Sequence, residues 1–162
     1  MNFTISIITM SKIQEASEYE LQGGVFQKSM SSQISFPEAD IAYIDDEYAI
    51  SKLMKRILHH IGYNNVRIFN STPSALLQIQ KELQEQHRVP DLLISDFNLP
   101  YMSGVEFFHQ VDNLCKKSSM TLPHHILVSG EQVSEEKNFL LKPFNRETFR
   151  KKIAEVLQQG TE

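Results

Sequence analysis

Five polar residues suited to phosphate and metal chemistry stand directly after short apolar runs of this sequence. They are Asp45, Asp46, Asp96, Ser129 and Lys142. If each apolar run is a strand of one parallel sheet, all five residues lie at its carboxyl edge, where open sheets of this kind bind their ligands. The sequence therefore predicts one polar site assembled from several strand ends.

The carboxylates of Asp45, Asp46 and Asp96 would repel one another at this edge unless a cation neutralised them. Carboxylate oxygens are hard ligands and favour Mg²⁺ or a similar ion. Lys142 adds a positive charge, and Ser129 adds a hydroxyl. A metal, a lysine and a hydroxyl around one carboxylate suit phosphoryl transfer, because the transferred group needs its oxygens neutralised. Asp96 can then be the nucleophile and form an acyl phosphate.

None of these residues is specific when taken singly. Two aspartates after a strand usually form a solvated turn, and an aspartate before a loop is more often a cap. Lys-Pro pairs and serines at strand ends are common. The specific feature is that each group ends a different strand in a chain whose strands and helices alternate.

The hydrophobic pattern from Asp40 onward predicts this alternation. Continuous apolar runs indicate buried parallel strands, and apolar residues three or four positions apart indicate helices. The predicted strands cover residues 41–44, 66–69, 92–95, 126–128 and 139–141. The predicted helices cover about 50–61, 72–86 and 105–116, with a last helix after a cap at Asn145. This pattern is typical of an α/β fold, an open five-stranded parallel sheet with helices on both faces.

The first part of the chain differs from the rest. Residues 1–39 have no sustained hydrophobic period and contain Gly23-Gly24 and a serine-rich run. We predict a flexible amino-terminal extension over 1–39 and one domain over 40–159.

Composition restricts the partners and the compartment. Of 162 residues, 41% are hydrophobic and 22% are charged, with a net charge of -4 and no long basic cluster, so we expect no nucleic-acid partner. A single cysteine, Cys115, favours a reducing compartment. The start of the chain does not resemble a signal peptide, and no apolar stretch could span a bilayer. We therefore expect a cytoplasmic protein with no membrane contact.

Four segments resemble the receiver domain of two-component response regulators. They are Ile44-Asp45-Asp46-Glu47, Ser95 to Pro100 followed by Gly104, Val128-Ser129-Gly130, and Leu141-Lys142-Pro143-Phe144. The resemblance covers about residues 40–158 and implies the flavodoxin/CheY-like strand order 2-1-3-4-5. No output domain is predicted after it, so the chain resembles a stand-alone, CheY-like receiver.

The resemblance implies a metal site around the phosphoacceptor. Asp96 would accept the phosphoryl group. Asp46, Asp96 and the backbone carbonyl of Asn98 would bind Mg²⁺ directly, and Asp45 would bind it directly or through water.

The resemblance also implies roles for residues further along the chain. Ser129 and Lys142 would bind phosphoryl oxygens. Ser129 and Phe139 would form the switch, with Phe139 as its aromatic residue. Asn98 and Glu131 fall where the family tunes its self-dephosphorylation.

One segment departs from the family pattern. Residues 131–137 are fewer than the roughly ten to twelve that a crossover between parallel strands needs. We therefore predict that the family's fourth helix is truncated or absent. Its loss would uncover apolar surface next to Val128 and Phe139.

The resemblance implies a phosphorylation-dependent switch of a two-component system or phosphorelay, and not an enzyme acting on a separate substrate. A histidine kinase or phosphotransfer protein would supply the phosphoryl group, and an unknown downstream protein would read the state. Two alternatives stay open. One is a receiver-fold interaction module that works without phosphorylation. The other is a flavodoxin-like cofactor binder, although the acidic edge would repel a phosphate group unless a metal lay there.

Overall fold

The computed structural model describes residues 36–132 and 137–159, which form a parallel sheet with helices on both faces. The strands are β1 (Ile41–Ile44), β2 (Val66–Phe69), β3 (Leu92–Asp96), β4 (His124–Ser129) and β5 (Phe139–Leu141). The helices are α1 (Tyr48–His60), α2 (Thr72–Gln86), α3 (Gly104–Lys117) and α4 (Arg146–Gln158). The strand order is β2-β1-β3-β4-β5, and every pairing is parallel. The predicted fold class is confirmed.

Side-chain caps fix where three of the helices begin. Ser71 accepts a hydrogen bond from the backbone N–H of Ser74 at the start of α2, and Asn145 accepts one from Thr148 at the start of α4. At α3, Ser103 and Glu106 form a reciprocal capping box. These local signals explain why the predicted helix starts agree with the observed ones to within a residue or two.

The two faces of the sheet bury separate apolar clusters. Side chains of α1 and α4, such as Leu58 and Phe149, pack on one face with Ile126 and Val128 of β4. Side chains of α2 and α3 pack on the other face, with Leu127 of β4. Successive residues of a strand point to opposite faces, so a continuous apolar strand supplies both clusters.

No described residue between β4 and β5 is helical, in keeping with the predicted loss of a helix there. Val128 itself points into the α1/α4 cluster and is buried. Phe139 and Leu141 lie on the other face of β5, where Phe139 is half-buried and Leu141 is 46% exposed. Among the described residues of β5, the exposed apolar surface lies on that face.

The predicted extension over 1–39 lies outside the described residues, apart from its last four. Phe36 and Ala39 pack against the α1/α4 cluster. Within the described residues, no helix is long and apolar enough to cross a membrane.

Candidate functional site

Five of the residues predicted to form the site lie at or just beyond the carboxyl ends of strands. Asp45 and Asp46 follow β1, Asp96 ends β3, Ser129 ends β4, and Lys142 follows β5. The strands are parallel, and β1, β3, β4 and β5 are consecutive in the sheet. Their ends therefore meet at one edge, which we call the acidic edge and define by these five residues.

Asp45 is the most enclosed carboxylate of the acidic edge, at 2% exposure. Its Oδ1 accepts a hydrogen bond from the backbone N–H of Glu47 at 2.9 Å, and its Oδ2 accepts one from the Tyr43 hydroxyl at 3.1 Å. The Ser51 hydroxyl donates to the backbone carbonyl of Asp45 at 3.0 Å. Both the side chain and the backbone of Asp45 are thus held by neighbours from β1 and α1.

Burial raises the pKa of Asp45 above its ordinary value. The hydrogen bond from Glu47, the charge of Lys142 and the hydroxyl of Tyr43 act in the opposite direction, and repulsion from Asp96 adds to the rise. The charge of Asp96 therefore acts on the Asp45 carboxyl group. A cation near both carboxylates would lower the cost of keeping them ionised.

Asp96 forms an ion pair with Lys142. The Lys142 Nζ lies 2.6 Å from Asp96 Oδ1, and the Asp96 side chain is 14% exposed. The Lys142 backbone N–H donates to the Ser129 carbonyl at 2.7 Å, and the Lys142–Pro143 peptide bond is cis. The end of β5 is thus tied to the end of β4, which directs the lysine towards β3.

The backbone of Asp96 is packed tightly against the start of α3. A Cβ atom added to Gly104 would lie 2.5 Å from the Asp96 carbonyl oxygen and 2.8 Å from a methyl carbon of Leu127. The Ser95 hydroxyl donates to the same carbonyl at 3.0 Å. Only glycine lets α3 approach β3 this closely, so Gly104 helps to set the height of Asp96 at the edge.

The remaining predicted residues lie at the end of β4, in the loop after β3 and at the start of β5. Ser129 is buried, and its hydroxyl accepts a hydrogen bond from the backbone N–H of Glu131 at 3.1 Å. Asn98 is exposed in the loop after β3. Phe139 is half-buried at the start of β5, against the α2/α3 cluster. Every one of these residues stands on the carboxyl-edge half of the sheet or on β5 beside it.

The described part of the chain holds no preassembled trio of acidic side chains. Asp46 is exposed, and within residues 36–132 and 137–159 no three His, Cys, Asp or Glu side chains stand close enough to hold one metal ion. The donor chemistry still suits a hard cation, because Asp45 and Asp96 supply anionic oxygens that repel each other. These donor groups therefore suit a magnesium ion. Asp96 would bind the ion either in place of its contact with Lys142 or in addition to it.

Comparison with known proteins decides the family. The family model described as the response regulator receiver domain matches residues 41–154, which include all five strands and the whole acidic edge. The chain belongs to the response regulator receiver family. Receiver domains of this family are regulatory phosphoacceptor domains of two-component signalling.

Individual relatives of this receiver are distant. The chain is 26% identical over 128 residues to the phosphate regulon transcriptional regulatory protein PhoB of Rhizobium meliloti, a match to 74% of this chain and 52% of that protein. It therefore spans about half the length of that relative. It is 24% identical over 127 residues to a CheY homologue of Campylobacter jejuni, a match to 73% of this chain and 92% of that protein.

Solved receivers share the fold. The structure of the chemotaxis response regulator CheY4 of Vibrio cholerae superposes with a TM-score of 0.59 at 28% identity, and the match covers 74% of this chain and 98% of that one. A CheY-like receiver domain from Methanospirillum hungatei superposes with a TM-score of 0.57 at 24% identity, covering 75% and 95% of the two chains. The second likeness shows the fold alone.

Sequence reasoning missed two residues that hold the acidic edge, Tyr43 and Ser51. Tyr43 lies within the apolar run that predicts β1, although a buried tyrosine needs an acceptor for its hydroxyl. Its position two residues before Asp45 on a strand was a usable signal, because residues two apart share a face. Ser51 gave no such signal, because only the packing of α1 on β1 brings it to the Asp45 carbonyl.

Proposed function

We propose that this chain is a phosphorylation-dependent signalling switch that accepts a phosphoryl group on Asp96. The group would come from a histidine kinase or phosphotransfer protein, and the phosphorylated form would act through contacts with a downstream protein. We further propose that residues 40–159 form the working domain and that the protein acts in the cytoplasm, with no nucleic-acid or membrane partner.

The ion pair between Lys142 Nζ and Asp96 Oδ1, at 2.6 Å beside the buried Asp45, carries this proposal. A lysine bound directly to the acceptor carboxylate is placed to follow the charge when a phosphoryl group is added there. The Ser129 hydroxyl at the neighbouring strand end supplies a further group for phosphoryl oxygens.

Magnesium is part of the proposal. Asp45, Asp46, Asp96 and the backbone carbonyl of Asn98 are the residues that would hold it. When bound, the ion supplies positive charge that neutralises the transferred phosphoryl oxygens.

The chemical step is a displacement at phosphorus. An oxygen of the Asp96 carboxylate attacks the phosphorus atom, and the bond from phosphorus to the donor's nitrogen or oxygen breaks. The donor leaves with the bonding electron pair, and Asp96 becomes an acyl phosphate. Lys142 stays in the site and pairs with the new phosphoryl oxygens.

The test uses acetyl phosphate as a small donor with Mg²⁺ and reads the intact mass of the protein. The wild-type chain should gain the mass of one phosphoryl group, and Asp96→Asn should gain none. Asp91→Asn is the matched control, because Asp91 precedes β3 at the opposite edge of the sheet. Labelling of Asp96→Asn at the wild-type level would refute the assignment.

A receiver-fold interaction module without phosphorylation is the second candidate. Its support is the exposed position of Asp46 and the lack of three converging acidic side chains among the described residues. If wild-type protein gains no mass from acetyl phosphate and binds no Mg²⁺, this candidate replaces the first.

A further inference from the structure

Tyr43 occupies an unusual place for a phenol. It is the third residue of β1 and is fully buried, in the apolar cluster shared with α1 and α4. Its ring fills core space, and its hydroxyl reaches the acidic edge, 3.1 Å from Asp45 Oδ2. The phenol donates its proton to that oxygen in a buried hydrogen bond.

The hydroxyl of Tyr43 is not required for packing. A phenylalanine would fill nearly the same volume without placing an oxygen in an apolar cluster, where a polar group is costly unless it is hydrogen-bonded. The position is also central in the sheet, since β1 lies between β2 and β3. Any role of the hydroxyl must therefore lie in its hydrogen bond to Asp45.

Two donors from different directions fix the Asp45 carboxylate. The Tyr43 hydroxyl holds Oδ2 from within the core, and the Glu47 backbone N–H holds Oδ1 from the start of α1. Each carboxylate oxygen can accept more than one hydrogen bond, so both keep a lone pair for a cation. Without Tyr43, one oxygen of a buried carboxylate would lose its donor, and the group could rotate about the Glu47 contact.

We propose that Tyr43 is a positioning residue for the cation site of the acidic edge, acting through Asp45. This inference rests on the proposed function, because it assumes that Mg²⁺ binds there. The Tyr43 hydroxyl holds the charged carboxylate in the orientation that presents its free lone pairs at the edge. Such outer partners of a metal ligand typically change metal affinity about 10- to 100-fold when they are removed.

The experiment measures how labelling by acetyl phosphate depends on Mg²⁺ in the full chain. In Tyr43→Phe, the Mg²⁺ concentration that gives half-maximal labelling should rise about tenfold. The deficit should close as Mg²⁺ is raised to saturation, because Tyr43 does not touch the phosphoryl group. Calorimetric titration with Mg²⁺ alone should show the same loss of affinity without any donor present.

Tyr63→Phe is the matched control. Tyr63 is also buried in the α1/α4 cluster, at 3% exposure, but the charged group that acts on it is Arg150 and not Asp45. This variant removes the hydroxyl of another core tyrosine and should not change the Mg²⁺ dependence. In an Asp45→Asn background, Tyr43→Phe should have little further effect on Mg²⁺ affinity.

The possible outcomes separate the two proposals. If wild-type protein binds Mg²⁺ and is labelled but Tyr43→Phe matches it at every Mg²⁺ concentration, the Tyr43 inference is overturned and the proposed function stands. If Tyr43→Phe labels slowly even at saturating Mg²⁺, or Tyr63→Phe shows the same shift, the role is structural and the inference also fails. If wild-type protein neither binds Mg²⁺ nor is labelled, the proposed function fails and the inference fails with it.

Discussion

The two edges of the sheet differ in how their carboxylates are paired with cations. At the amino-terminal edge, Asp40 and Glu82 are both paired with Arg67, and Asp40 is also paired with Arg88; we call these four residues the amino-edge ion cluster. At the acidic edge, Lys142 is the one cation paired with the carboxylates among the described residues. In the amino-edge ion cluster each carboxylate is paired with an arginine, whereas the acidic edge has three carboxylates and one lysine.

The amino-edge ion cluster is also closed by hydrogen bonds. Arg67 forms two-pronged contacts with Asp40, at 3.0 and 2.9 Å, and with Glu82, at 2.7 Å to each oxygen. Gln78 donates to Glu82 at 2.7 Å, and Asp91 Oδ2 accepts the Asp40 backbone N–H at 2.7 Å. Such a network joins β1, β2, α2 and the start of β3, and it leaves little capacity for a ligand.

This difference in charge pairing indicates that the amino-edge ion cluster stabilises the fold and that the acidic edge can bind a ligand. A buried carboxylate that has a matched arginine contributes to a single folded arrangement. A buried carboxylate such as Asp45, whose pKa is raised by burial and by a second carboxylate, can still gain from a cation. The comparison therefore predicts that substitutions at the amino edge affect folding and that substitutions at the acidic edge affect chemistry.

The largest effect on stability is expected for Arg67→Met. The change leaves Asp40 and Glu82 without their shared partner, and removing one partner of a buried ion pair typically costs about 3–5 kcal/mol. Urea denaturation should show this loss. Arg150→Met, which breaks the surface pair with Glu147, is the control and should cost much less, because solvent screens an exposed pair. Equal losses in the two variants would contradict the distinction.

Gly104→Ala should come second, with a loss of about 1–3 kcal/mol from overpacking. The added methyl group would lie 2.5 Å from the Asp96 carbonyl oxygen, so α3 or the end of β3 must shift. Labelling of Asp96 should therefore fall as well. Gly130→Ala is a matched control, because an added Cβ there meets nothing within 4 Å. A Gly104→Ala variant as stable as Gly130→Ala would show that the contact relaxes freely.

A smaller effect is expected for Glu82→Gln, and it depends on pH. Burial alone would raise the pKa of Glu82, but the hydrogen bonds from Gln78 and Arg67 and the charge of Arg67 outweigh it and lower the pKa. The stability from Glu82 is therefore fully present above its ordinary pKa of 4.5 and is lost as the pH falls through the lower folded value. Denaturation from pH 3 to 6 should show a shallower acid loss in Glu82→Gln. Parallel curves for both proteins would count against this role.

The smallest effect on stability is expected for Lys142→Met. The Lys142 side chain is 37% exposed, so loss of its ion pair with Asp96 should change the free energy of unfolding by about 1 kcal/mol or less. Labelling of the Lys142→Met variant by acetyl phosphate, or the conformational change that follows labelling, should nevertheless be strongly impaired. If circular dichroism shows that Lys142→Met is unfolded, Lys142 has a structural role like that of the amino-edge ion cluster. The proposed difference between the two edges would then be wrong.

Hydrophobic periodicity predicted most of the helices and strands of the fold. The predicted strands 66–69 and 139–141 agree with β2 and β5, and the predicted strand 126–128 is the buried centre of β4. Strand ends such as His124 and His125 were missed, because they are half-buried and do not continue the apolar run. The strand order came from the family resemblance, because periodicity alone does not specify which strands are neighbours.

The sequence by itself determined which groups reach the acidic edge, because a residue that ends a parallel strand is placed there by chain direction alone. Asp45, Asp96 and Ser129 follow that rule. The tertiary structure alone decided how those groups are held: Tyr43 reaches Asp45 from the core, Lys142 pairs with Asp96, and Asp46 faces solvent. These contacts depend on distances of a few ångströms between elements far apart in the chain. Residue types and spacing cannot specify such distances, because the packing of helices and strands sets them.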